Sequence, residues 1–345
     1  MAHERLLFLD ALRGLALVYM VLNHTARWWL DAPMGRPRSH LIYVTVTLAG
    51  PLFLFLVGFC LPLAPLTTFG AAARKYLRRG LELILAGFLL NLLAFPAEPF
   101  WSGRILQTIG LGIIVSLPAA WLLRSRPARY WLLALAALQY VAFSLAYPEL
   151  ERWLAGHPVV AKLWFWEFPP WPWVGLVLVG LVFGWLWTER AAPRARARYL
   201  AALAVAGAAC VLSVLVYDWW TGTVQRLLFK RDFLVSGYWT PAGMTNAWIM
   251  GMVFGQMALM YYVVEVRRWR LGWLVRLGQT AFLLYFLHLV IVLTLINRFL
   301  GLRFNDWWAY ALANILFLVL LVQIGRGWLE AKRIFRAWRW RALPD

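Results

Sequence analysis

Negative charge is scarce in this chain: 345 residues carry 15 Asp and Glu against 34 Lys and Arg. Charge of either sign is sparse, at 14% of residues, where a soluble domain sits near about 25%. Cysteine is nearly absent. Cys60 and Cys210 each fall inside an apolar run, so they support neither a disulfide framework nor a cysteine metal site. No spacing of His, Asp, Glu or Cys resembles a metal site, and no metal is expected. There is no nucleotide-binding glycine loop, no internal repeat and no soluble domain. A cleavable signal peptide is not expected: the start is not basic, the first apolar segment carries charge, and no small-residue cleavage pattern follows it.

What fills the chain instead is apolar sequence, 63% of residues. It comes in runs of about twenty, long enough to cross a bilayer as helices. The expected fold is all-α, a polytopic membrane helix bundle of about ten transmembrane helices. They are placed at 7–30, 41–64, 76–96, 105–123, 130–147, 171–188, 199–217, 243–265, 274–297 and 307–329. Pro51 and Pro118 fall inside spans, where neighbouring helices can satisfy the freed backbone groups.

The net charge of +19 does not point to nucleic acid, because the basic residues are parcelled into short loops. Groups such as Arg74, Lys75, Arg78 and Arg79, or Arg194, Arg196 and Arg198, outnumber those of the opposite side by roughly two to one. That asymmetry puts both termini in the cytoplasm. The 23 tryptophans fit interfacial belts. Residues 330–345, EAKRIFRAWRWRALPD, read as a basic amphipathic cytoplasmic tail on anionic membrane lipids. Two longer outer loops, 148–170 and 218–242, mix aromatic and charged groups. An interfacial half-helix explains them more readily than a sugar-binding surface does.

The first span is the unusual one. RLLFLDALRGLALVYMVLNHTARWW, residues 5–29, carries Asp10, Arg13 and His24. Ionisable groups are costly at bilayer depth and tend to be functional there. On a helix, the eleven steps from Arg13 to His24 return to within roughly 20° of one face. Asp10 and Arg13 form an i,i+3 pair on that face. Histidine can take and return a proton near neutral pH. Arginine stays charged and binds phosphate or steadies an oxyanion, and Asp10 is placed to orient Arg13. His288, in LGQTAFLLYFLHLVIV, reaches a depth similar to that of His24 and is a candidate partner or a structural group. Arg104 and Gln107, at the outer start of the fourth span, are substrate-side candidates. Glu82 pairs with Arg78 or Arg79 as a structural group. His3, His40 and His157 lie in exposed segments. The remaining polar groups within spans, among them Asn91, Gln139, Gln279 and Asn314, read as interhelical hydrogen-bond partners.

LDALRGLALVYMVLNH, with ten residues between Arg13 and His24, resembles the first-helix signature of the transmembrane acyltransferase superfamily. Further stretches resemble it in order: GPLFLFLVGF at 50–59, KYLRRGLELILAGFLL at 75–90 and RLGQTAFLLYFLH at 276–288. GRILQTIGLGIIVSLPA at 103–119 and PWVGLVLVGLVFG at 172–184 are similar to its heparan-α-glucosaminide N-acetyltransferase-like branch rather than its acyltransferase-three branch. The resemblance implies one transmembrane acyltransferase-like domain over 1–345. It implies transfer of an acyl group, usually acetyl, from cytoplasmic acyl-CoA to a hydroxyl or amine of an acceptor on the far side, often a sugar or glycan. His24 then matches the essential histidine and Arg13 the arginine tied to the donor. Arg78 and Arg79 are further candidates for binding acyl-CoA, which acts as a co-substrate and not as a resident cofactor.

The expected location is a cell membrane, the inner one of a bacterium. A homo-oligomer is compatible with the sequence. A transporter or flippase also explains buried charge, but the chain lacks the matching interrupted helices in two halves that usually mark one.

Overall fold

The computed structural model describes residues 5–31, 35–63, 68–122, 125–222 and 245–341. Among these, every regular element is a helix, apart from one isolated bridge between Leu30 and Phe304. The chain divides into two compact units, one of Met1–Ala49 with Gln256–Asp345, the other of Gly50–Gly255.

The first unit is organised on α1 (Leu7–Trp28). It also holds the first half of α2 (Gly35–Cys60), α10 (Gly272–Gln279), α11 (Ala281–Leu289) and α12 (Trp307–Arg341). The end of α9 (Thr245–Tyr261) enters this unit and continues as a π-helical turn, Tyr262–Val266. Glu265 in that turn accepts the Phe8 backbone N–H at 3.2 Å, satisfying one of the orphan donors of the first turn of α1. α11 likewise runs on into a π-helix, Val290–Phe299. Two glycines set how closely α1 and α10 approach. A Cβ on Gly14 would overlap the Leu274 carbonyl, and one on Gly278 would overlap the Asp10 carbonyl. Backbone contact through small residues is the usual way membrane helices pack, since lipid offers no hydrophobic drive between them. The far end of α1 is tied down by the bridge: Phe304 donates its N–H to the Trp29 carbonyl at 2.6 Å, and Asp31 donates to Phe304 at 3.1 Å.

The second unit packs the end of α2, α3 (Phe69–Ala94), α4 (Ile105–Leu122), α5 (Arg126–Ala155), the short α6 (Pro158–Trp164), α7 (Pro170–Thr188) and α8 (Pro193–Thr221). Gly180 and Gly184 on α7 meet the Phe55 and Phe59 carbonyls of α2 as closely as Gly14 meets Leu274. Phe55, Phe59, Phe183 and Trp187 fill the space beside that contact.

Among the described residues, six helical segments are long and apolar enough to cross a membrane, or seven if the two bent halves of α5 count as one. Their surfaces separate by role. Over its most apolar stretch α1 is 61% buried, against 28% for α8 and α12. Val205, Leu212, Trp219 and Trp220 on α8, and Leu312, Ile315 and Leu316 on α12, are exposed. Faces of that size and apolarity suit hydrocarbon and not water. The molecule is an all-helical integral membrane protein.

Several boundaries differ from the sequence reading, two of them through a break or a bend. The span expected at 274–297 is broken at Thr280, whose hydroxyl turns back to the Arg276 carbonyl at 2.8 Å. The span expected at 130–147 continues to Ala155 through Pro148. It bends by 54° between its halves 127–143 and 145–155. The bend falls four residues before Pro148, where a proline ring collides with the preceding turn's carbonyl.

Candidate active site

His24 lies on the last turns of α1, and His288 near the end of α11. His24 Nδ1 is 2.9 Å from His288 Nε2. The ring centres are 5.1 Å apart and the planes differ by 8°. An imidazole nitrogen lies about 1.1 Å from its ring centre, so two such radii plus the hydrogen bond account for nearly the whole separation. The rings therefore meet edge to edge in one plane, with the hydrogen bond along the line of centres. They are not stacked face to face.

The protons follow from the next contact. His288 Nδ1 is 3.0 Å from the Leu284 carbonyl, one turn back on α11. A carbonyl can only accept, so His288 Nδ1 carries the hydrogen. In the neutral ring, Nε2 is then the acceptor, and His24 Nδ1 donates to it. That leaves the basic lone pair of His24 on Nε2. His288 is fully buried, and the Tyr285 ring meets it edge-on at 5.6 Å. Trp28 flanks His24 at 5.2 Å.

Half a helix away, Asp10 is 2% exposed and accepts from three side chains. Arg5 Nε donates at 2.6 Å, Arg13 at 2.9 Å and Gln279 Nε2 at 3.4 Å. The carboxylate thus pairs with two guanidiniums and links α1 to α10. Arg13 keeps a third of its side chain exposed. At 1.5 Å per residue it lies about 16 Å along α1 from His24.

Beside His24, a third set of contacts that the sequence did not single out joins α1 to α12. Thr25 Oγ1 donates to Asn314 Oδ1 at 2.7 Å and lies 3.0 Å from the Tyr310 hydroxyl. Asn314 Nδ2 closes the set on the Tyr310 carbonyl at 2.9 Å. Asn314 and Gln279 were visible as polar residues in apolar runs. Thr25 and Tyr310 are too common in spans to stand out.

The other candidates lie in the second unit. Arg78 and Arg79 both bind Glu82, at 2.8 and 3.2 Å. With Thr68, Gly70, Ala71, Arg74 and Lys75 they line an open cavity of about 790 Å³ at the start of α3. Arg104 is buried among Glu98 at 3.0 Å, Glu167 and the Phe95 ring. Gln107 accepts the Arg104 backbone N–H at 3.1 Å. Both groups are engaged in closing the loop before α4. Asn91 joins the same closure through the Phe100 and Ser102 carbonyls. Gln139 donates to the Pro172 carbonyl at 3.0 Å. His157 stacks on Trp153. His3, the His40 side chain and most of the segment 218–242 lie outside the described residues. Among the described residues, no three His, Cys, Asp or Glu are grouped to hold a metal ion.

These features define an integral membrane protein with an ionisable centre inside its helical bundle. The family model that matches the chain, over residues 5–217, is that of heparan-alpha-glucosaminide N-acetyltransferase, catalytic. The chain belongs to this family of membrane acyltransferases. No curated protein matches it.

Proposed function

We propose that the protein moves an acyl group, acetyl in the simplest case, from cytoplasmic acyl-CoA to a hydroxyl or amine of an extracytoplasmic acceptor, a sugar or glycan. The observation that carries this reading is the coplanar His24–His288 hydrogen bond, which directs the lone pair of His24 to Nε2. His24 takes the proton of the acceptor as its oxygen or nitrogen attacks the thioester carbon. The C–S bond breaks, and the thiolate leaves with a proton returned from His24. Arg13 binds the donor, and Asp10 holds Arg13 in place. The cavity on α3, with Arg78 and Arg79, offers a second cationic surface to the phosphates of the donor. Arg104 and Gln107 shape the outer loop on the acceptor side.

About ten spans with both termini in the cytoplasm complete the reading, in the cell membrane of a bacterium. Lipids surround the bundle, and a homo-oligomer is compatible with it. Purified protein in vesicles, given radiolabelled acetyl-CoA and candidate glycans, tests the proposal. Label on the glycan or the protein supports it. Acceptor-dependent uptake without label supports a transporter and overturns it.

A further inference from the structure

The histidine pair has two ends, and they differ chemically. One end is His24 Nε2. The other is the Leu284 carbonyl, reached through His288 Nδ1–H. A backbone carbonyl accepts a hydrogen bond but cannot carry a proton onward at any ordinary pH. Among the described residues, no carboxylate hydrogen-bonds His288 in the position that an aspartate holds in a Ser-His-Asp triad.

We infer that His288 is a positioning residue that fixes His24 as its Nδ1–H tautomer, and that the pair is a one-proton store able to discharge only through His24 Nε2. The inference rests on the acyl-transfer reading and adds the route of the proton. When His24 Nε2 takes the acceptor's proton, the new charge is shared across the 2.9 Å contact. His24 Nδ1–H strengthens its bond to His288 Nε2, or passes the proton to it. In the second case His288 becomes the cation, with its Nδ1–H still on Leu284. Neither form has an exit at the buried end. The proton must come back to His24 Nε2 and leave there, to the CoA thiolate produced as the C–S bond breaks. Proton uptake and release then occur at one atom beside the reacting groups, and proton flow through the pair to the other side of α11 is blocked. The same bookkeeping confines any acyl-imidazole to Nε2, since Nδ1 is occupied by its bond to His288.

Three features select this assignment over a packing role alone. The hydrogen bond is aligned with both rings coplanar, where packed aromatic rings favour offset or edge-to-face arrangements. The anchoring carbonyl lies one turn back on the same helix as His288, so the tautomer is set locally. The π-helix begins two residues after His288, and π segments inside α-helices are frequent at functional sites.

The test compares His288→Leu, which removes the acceptor, with His288→Gln, whose side-chain oxygen can receive the His24 Nδ1–H. Both are followed by acyl-transfer kinetics and by ¹⁵N NMR of histidine-labelled full-length protein in lipid. The His24 signals are assigned by comparison with His24→Gln. The wild type is expected to show His24 protonated at Nδ1 and unprotonated at Nε2. His288→Leu should lose that preference and fall about 10²-fold in kcat, with the KM for acyl-CoA unchanged. His288→Gln should keep the tautomer and stay within about threefold of wild-type kcat, since the hydrogen bond survives. A wild-type His24 protonated at Nε2 overturns the inference. So does a fully active His288→Leu variant, or an equal loss in both variants while they remain folded. A wild-type protein that transfers no acyl group overturns the function instead, and leaves the tautomer result to decide the pair.

Discussion

His24 and His288 are 264 residues apart in the chain and 2.9 Å apart in space. That contact joins the first helix of the chain to a late one. It sets the chemistry of α1 from outside α1.

Asp10 gathers Arg5, Arg13 and Gln279 at one buried carboxylate. Replacing it with Asn removes the charge and keeps the shape. Asp10→Asn is expected to raise the KM for acetyl-CoA about tenfold, the loss of one charged hydrogen bond of about 1.5 kcal/mol, with a smaller change in kcat. Steady-state kinetics at varied donor concentration make the check. An unchanged KM would remove Arg13 from donor binding.

The close approach of α1 and α10 depends on Gly278 lying against the Asp10 carbonyl. Gly278→Ala should destabilise the fold by about 1–3 kcal/mol, the usual cost of forcing atoms into a packed contact. Gly272→Ala, on the same helix with nothing within 4 Å of the added Cβ, should be neutral or slightly stabilising. Reversible unfolding in mixed micelles reads both.

Much of this scaffold is legible in the sequence, because apolar length and charge are local properties. The first span, read as 7–30, is Leu7–Trp28, and the stretch read as 105–123 is a helix over Ile105–Leu122, shorter than the six that are long enough to cross. The last helix outruns its apolar run and continues to Arg341. Glu330, Ala331, Lys332 and Arg333 end the hydropathy but are all good helix formers. The break at Thr280 was not legible. It lies two residues after Gly278, which meets a helix more than 250 residues earlier. The site shows the same division. Asp10 and Arg13 could be paired from their i,i+3 spacing. His288 could be given a depth but not a direction, and its partner is fixed only by tertiary packing. Arg104 could be read only as a candidate at one end of a span; that its two carboxylates, Glu98 and Glu167, come from separate loops was not legible.

Thr25 and Asn314 tie α1 to α12 at 2.7 Å in a buried setting. Thr25→Val and Asn314→Leu should each destabilise the protein, and the double variant should cost less than the sum. A coupling of about 1 kcal/mol is expected for a buried hydrogen bond. Strict additivity in the double-mutant cycle would show that the two side chains do not interact.

Arg104 and Arg152 both form ion pairs, but Arg104 has a side chain only 6% exposed and Arg152 one that is 72% exposed. Arg104→Met leaves Glu98 and Glu167 without their shared cation and should cost about 3 kcal/mol. Arg152→Ala should stay within about 0.5 kcal/mol of wild type. Equal effects in unfolding measurements would contradict the buried closure before α4.

The most direct measurement of the central claim is acyl transfer from radiolabelled acetyl-CoA by His24→Ala in vesicles, beside wild type of equal folded amount. The account predicts that wild type labels its acceptor and that His24→Ala, folded and inserted, transfers nothing above background. Full transfer by His24→Ala would contradict it.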